Sequence, residues 1–179
     1  MEFDEFVKAH HEAKEVPSRE KAEKQIQFFN NHLKQLFDIA YEALDPYIND
    51  GSVEISPNTK TIVEEELCGY RNYSYQAHDL SITLGDAEVK LTPIGMRIFG
   101  AIGRVDMIGS RGEVSILLTG SKGPKRRVSI SSGEKSIEAP VQETTEEPVW
   151  KFIERSPNIN YFDVNEDTFK KYLMMVIDG

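Results

Sequence analysis

The chain of 179 residues holds a single cysteine, Cys68, which excludes an intrachain disulfide and a multi-cysteine zinc site and agrees with a reducing compartment. No run approaches the roughly 18 apolar residues of a membrane-spanning helix. The opening Met1-Glu2-Phe3-Asp4-Glu5 also lacks the basic and then apolar order of a signal peptide. A cytoplasmic protein with no membrane partner is expected. Basic residues are the scarcer charge, 21 Lys and Arg against 30 Asp and Glu, and the net charge of -9 works against nucleic-acid binding by phosphate neutralisation. Internal repeats are missing as well, so stacked-repeat architectures do not apply.

Several catalytic and metal signatures are missing too. His10-His11-Glu12 offers ligand types, but neighbouring helical residues point about 100° apart, whereas metal-binding pairs sit at i and i+4 as in His-Glu-x-x-His. His78 and Asp79 are adjacent on an extended segment and face opposite ways, so neither orients the other. Cys68 has no nucleophile signature around it and reads as a buried inert thiol. Gly120-Ser121-Lys122-Gly123-Pro124-Lys125 lacks the spacing and following helix of a phosphate loop and reads as a basic hairpin loop. Glutamates 64–66 read as an exposed edge kept soluble by charge. Neither a catalytic constellation nor a metal or cofactor site is expected.

What is present describes a folded domain: 39% apolar residues, 28% charged, nine Phe, seven Tyr and one Trp. Residues 3–14 form a short helix, and a longer one spans 18–44 with Ser18 as N-cap and Ile26, Phe29, Leu33, Leu36, Phe37, Ala40 and Leu44 spaced by threes and fours. Asp45-Pro46 should stop it, before a first strand at 52–56 and an extended stretch at 60–77. Leu84-Gly85-Asp86-Ala87 puts glycine where a type II′ turn needs it and fixes a hairpin register. Leu84 faces Ala87, Ile82 faces Val89 and Leu80 faces Leu91, all apolar, while Thr83-Glu88 and Ser81-Lys90 are polar. Residues 92–95 read as a turn and 96–108 as a strand whose inward face changes at a glycine bulge. A further hairpin through residues 109–112 pairs Met107 with Val114 and Val105 with Ile116, with Val128 and Ile130 as the next strand. A polar loop over 132–148 precedes Trp150, Phe152 and Ile153, a short extended piece at 159–164, and a final helix capped by Asn165 with Phe169, Tyr172, Leu173 and Val176 on one face.

The expected fold is α+β, an antiparallel meander of about five to seven strands packed against a long N-terminal helix and a short C-terminal helix. One domain covers 1–179, with a helical part at 1–50, the sheet at 51–131, the loop at 132–148 and a C-terminal strand and helix at 149–179.

Charge is unevenly placed. Residues 94–135 hold Arg97, Arg104, Arg111, Lys122, Lys125, Arg126, Arg127 and Lys135 against Asp106, Glu113 and Glu134, so the acidic excess lies elsewhere. Arg104 and Asp106 sit two apart on a strand and share a face, where they pair with each other or present a donor and an acceptor to a ligand. The favoured function is a non-catalytic protein–protein interaction module of inhibitor, immunity or adaptor type. It would act through an acidic surface with a local basic strip, and Trp150 with Tyr70, Tyr73 and Tyr75 would be its anchors. The alternative is a small-ligand or phosphate-binding domain, possibly enzymatic, around Arg104 and Asp106. Expected binding residues are Arg97, Arg104, Asp106, Arg111, Lys122, Lys125, Arg126 and Arg127, and the expected partner is another protein rather than nucleic acid.

Overall fold

The computed structural model describes Phe3 and residues 19–98, 100–120, 147–155 and 157–179. Within these the fold is α+β: a seven-stranded antiparallel sheet in sequential order, with a long helix before it and a short one after it. The first helix, α1 (Arg19–Asn49), buries Ala22, Phe29, Leu33, Leu36, Phe37, Ala40, Ala43 and Leu44, the stripe that the spacing predicts. It does not stop at Pro46, which lies inside its last turns. A proline removes only its own N–H and crowds one carbonyl, here that of Glu42. The next turn re-forms around Asp50 N–H to Pro46 O at 3.3 Å and Asn49 Nδ2 to Asp45 Oδ2 at 3.0 Å.

Strands β1 (Val53–Leu67) and β2 (Tyr70–Leu84) form one hairpin of 15-residue arms, where the sequence suggested two separate extended stretches. Its turn is Cys68-Gly69, with φ of 49° and 86°, the two positive values of a type I′ turn. Cys68 is half-buried at that turn, not sealed in the core. The register holds from Val53↔Leu84 to Glu64↔Tyr73, yet the buried residues change face along it. Val53, Leu80 and Ile82 are buried on one side, while Ile62, Tyr75 and Ala77 are buried on the other. Beyond Leu80 the ribbon leaves its neighbour β3 (Ala87–Met96) and wraps the N-terminal half of α1, as the stronger twist of a two-stranded ribbon permits. Asn30 Nδ2 on α1 donates to Gln76 O on β2 at 3.2 Å.

All five β2–β3 pairs fall in the expected register, from Leu80↔Leu91 to Leu84↔Ala87, and Gly85 takes a φ of 57°. The next reversal differs from expectation. Residues 92–95 belong to β3, the register shift falls between Pro93 and Gly95, and the chain turns back over residues 97–102 into β4 (Gly103–Ile108). Met96 therefore faces Gly103, and the change of inward parity comes from this bulge and reversal together. The β4–β5 pairing to Glu113–Thr119 is as expected, with Met107↔Val114 and Val105↔Ile116. The far edge of β5 belongs to β6 (Val149–Glu154), through Ile116↔Phe152 and Leu118↔Trp150. Val128 and Ile130 lie outside the described residues, and the edge expected for them is occupied by larger apolar side chains. Strand β7 (Asn160–Asp163) completes the sheet. All but Phe3 of the helix expected over 3–14, the Ser18 cap and nearly all of the 132–148 loop also lie outside the described residues.

The last helix, α2 (Glu166–Asp178), opens on a reciprocal cap between Asn165 and Thr168 and buries Phe169, Tyr172, Leu173 and Val176. Its C-terminus sits on the β4–β5 turn. Arg111 N–H donates to Val176 O at 2.9 Å, and Ser110 Oγ donates to Ile177 O at 3.1 Å. A Cβ at Gly109 would lie 2.4 Å from the Val176 carbonyl oxygen, so glycine there is a packing requirement, whereas a Cβ at Gly112 meets nothing within 4 Å. Gly109→Ala is expected to destabilise the fold by about 1–3 kcal/mol and Gly112→Ala to leave it nearly unchanged, as read by urea unfolding.

Candidate functional site

The basic positions of the sheet are held apart by the fold. Arg97, exposed with φ of 55°, opens the β3–β4 loop through its N–H bond to Ile102 O at 3.0 Å. Arg111 lies in the turn at the other end of β4, roughly 20 Å away along a six-residue strand. Between them, Arg104 Nε and Nη2 donate to Asp106 Oδ1 and Oδ2 at 2.8 and 2.9 Å. The side chains are only 21% and 9% exposed, so this is a largely buried fork and not a solvated surface pair. These hydrogen bonds push the Arg104 guanidinium further above its ordinary value and keep it charged. On the same face Lys151 pairs with Asp163 across β6 and β7. Lys122, Lys125, Arg126 and Arg127 lie outside the described residues, as do His10, His11 and Glu12.

The expected aromatic anchors divide. Trp150 is buried and donates Nε1–H to His32 O at 2.7 Å, and Tyr75 is buried and donates to Glu64 Oε1 at 2.8 Å. Both hold the core together. The Tyr70 and Tyr73 rings meet at 5.4 Å with a tilt of 58°, half-buried near the ribbon tip. His78 is exposed with its Nδ1 3.3 Å from Asn58 O. Of glutamates 64–66, Glu65 and Glu66 are exposed, but Glu64 is half-buried and its Oε1 also accepts from Met96 N–H at 2.8 Å. Among the described residues no three His, Cys, Asp or Glu side chains gather where they could hold a metal ion. None of the described helices is long and apolar enough to cross a membrane.

The surface that does gather exposed aromatics and charge of one sign is the C-terminal half of α1. Tyr41 and Tyr47 are 38% and 46% exposed. Around Tyr41 stand Asp38, Glu42 and Asp45, with Asp50 just past the helix end, and a shallow open depression is lined by Tyr41, Glu42, Asp45 and Ile48. Lys34 answers only Asp38, at 2.7 Å. No basic residue lies in the last turn of the helix, where the macrodipole adds further negative potential. Pro46 adds to it, because the Glu42 carbonyl loses its helical N–H donor. Hydrogen bonds from Ser52 hold the Asp50 carboxyl below the usual carboxylate range, so it is ionised at neutral pH. Such a surface attracts Lys and Arg, whose cations also sit favourably on tyrosine faces. The sequence carried one signal for it: Tyr41 falls off the buried stripe of its helix, whereas Tyr47 continues that stripe past Ala43 and Leu44 and is exposed at the helix end. Reading Pro46 as a stop left Tyr47 off the helix.

No protein-family model, no curated protein and no solved structure matches the chain.

Two outcomes test the electrostatics of the sheet. Arg104→Met should destabilise by about 2 kcal/mol, because Asp106 is left buried and unpaired, and Arg104→Met/Asp106→Leu should recover most of the loss in urea unfolding. Burial first, and then the Glu64 carboxylate, push the Tyr75 phenol well above its ordinary 10.0. The folded state therefore keeps a proton that the unfolded state releases. The stability this confers is complete below pH 10 and is lost as pH rises beyond it. Phenolate absorbance should show Tyr75 ionising only together with loss of the circular-dichroism signal, and Tyr75→Phe should remove that part of the alkaline transition.

Proposed function

We propose that this protein is a non-catalytic protein–protein interaction module, of inhibitor, immunity or adaptor type, working in the cytoplasm. It recognises a basic surface of another protein through the C-terminal half of α1. One observation carries this reading: Tyr41 stands in solvent beside Glu42 and Asp45 at a shallow depression, with Asp38 a turn earlier, exposed Tyr47 and Asp50 at the helix end, and no basic side chain in the last turn of the helix. Tyrosine supplies contact area at low entropic cost and is enriched in binding hot spots, and the carboxylates steer and orient a cationic partner. The basic strip on the sheet is secondary. Arg104 and Asp106 already satisfy each other, which leaves the ligand-binding alternative with less support.

Immobilised protein should retain a basic partner from lysate, with retention falling as salt is raised. Tyr41→Ala and Tyr47→Ala should each weaken the isolated complex roughly tenfold, and Glu42→Lys should weaken it at least as much without changing thermal stability. Equal capture by all variants, or turnover of a small substrate with no partner retained, would overturn the reading.

A further inference from the structure

Where β6 and β7 meet α2, two aromatic rings and a carboxylate converge on a cation that the chain itself supplies. Phe152 and Phe162 are partners across the two strands, and Glu154, two residues beyond Phe152, shares their face beneath the helix. Tyr172 of α2 is fully buried, stacked on Phe152 at 4.2 Å and 28°, and its hydroxyl donates to Glu154 Oε1 at 2.7 Å. Lys171 Nζ lies 4.9 Å from the centre of the Tyr172 ring and 5.2 Å from that of Phe162, and it donates to the same Glu154 oxygen at 3.3 Å. Both ring distances fall within the roughly 6 Å over which an aromatic face attracts a cation.

The walls of this seat are held more firmly than its occupant. Tyr172 is fixed on one side by the Phe152 stack and at its tip by Glu154, and that hydrogen bond holds the Glu154 carboxyl below the usual carboxylate range, so it is anionic at neutral pH. Lys171 keeps 58% of its side chain in solvent, and its flexible stem can swing the ammonium back into water. What it uncovers is two aromatic faces and a carboxylate already in place, with Phe162, 36% exposed, as the accessible wall. An incoming lysine brings the same hydrated ammonium without the advantage of the tether, so it does not displace Lys171. A quaternary ammonium does: it is larger, has no N–H to keep hydrated, and takes more from an aromatic face. We propose that this corner of the fold binds a quaternary ammonium group, with Lys171 as its intramolecular stand-in.

The test uses the purified full chain and elements other than α1, so its outcome is separate from the fate of the α1 surface. Choline and a short peptide carrying trimethyllysine are titrated into the native protein and into Lys171→Ala, with binding read from amide shifts of β7 and α2. Lys171→Ala should bind roughly fivefold more tightly than the native chain, because the competing ammonium is gone. Dimethylbutanol, the uncharged carbon isostere of choline, should not bind. In the Lys171→Ala background, Phe162→Leu and Glu154→Gln should each weaken binding by roughly tenfold with unchanged circular dichroism. Tighter binding of the peptide assigns the group to a partner protein and tighter binding of choline to a small molecule, and either bears out the site. No binding to Lys171→Ala at tens of millimolar would overturn the proposal. So would equal affinity of the native and Lys171→Ala chains, equal binding of the uncharged isostere, or indifference to Phe162→Leu.

Discussion

The fold turns on one aromatic contact. Phe29 of α1 is fully buried, stands edge-on to Tyr75 of β2 at 6.5 Å and 89°, and lies 6.4 Å from Trp150 of β6. Beneath it is Gly103 of β4, where a Cβ would come within 2.5 Å of the ring. A single side chain therefore draws three strands that are not neighbours in the sheet onto one helix. Burial of a phenylalanine supplies about 1.5–3 kcal/mol. The geometric effect is larger, because the wrapping of the β1–β2 ribbon and the seat of α1 cannot be changed independently. Trp150 reinforces the same point by capturing the His32 carbonyl a turn further along α1.

That wrapping leaves a backbone problem which Glu64 solves. Where β2 departs from β3, the Met96 N–H loses the strand it would have faced, and an unpaired buried amide costs about 1–3 kcal/mol. Glu64 Oε1 accepts from that amide and from the Tyr75 hydroxyl, so one carboxylate closes the gap between the diverging strands. The fit is close. Gly95 has φ of 153°, and a Cβ there would lie 2.9 Å from the same oxygen. Three adjacent glutamates thus have two roles: the first is a strand surrogate inside the fold, and the other two are charges on its rim.

Much of the architecture was legible because local chemistry and burial agree. Gly85-Asp86 sets five cross-strand pairs, Asn165 sets the start of α2, and the spacing along α1 names its buried face. Legibility fails where tertiary contacts override local signals. Cys68 is an uncommon residue for a positive φ, so the turn it makes was invisible, and the change of buried face along the ribbon erases the period-two alternation of residues 60–77. The place of β6 depends on Trp150 reaching α1, a contact across 118 residues. For the site, a shared strand face brings Arg104 and Asp106 together on paper. Their bidentate closure and burial follow only from the packed sheet, and the separation of Arg97 from Arg111 follows from the reversal at residues 97–102.

The charged groups consequently fall into two populations. Glu64, Arg104, Asp106, Lys151 and Glu154 are committed to named partners: Glu154 accepts from the Tyr172 hydroxyl at 2.7 Å, Arg104 is answered by Asp106 on its own strand, and Lys151 by Asp163 of β7. The close-packed glycines of the unusual 100–112 segment are committed as well, Gly103 to Phe29 and Gly109 to the end of α2. Glu42 on the end of α1 and Glu65 and Glu66 on the rim of β1 are exposed instead. Chemistry on a small substrate needs a recess that excludes water around convergent groups. Contact with a macromolecule draws on exposed aromatic area and charge, which the end of α1 carries in Tyr41, Tyr47 and Glu42.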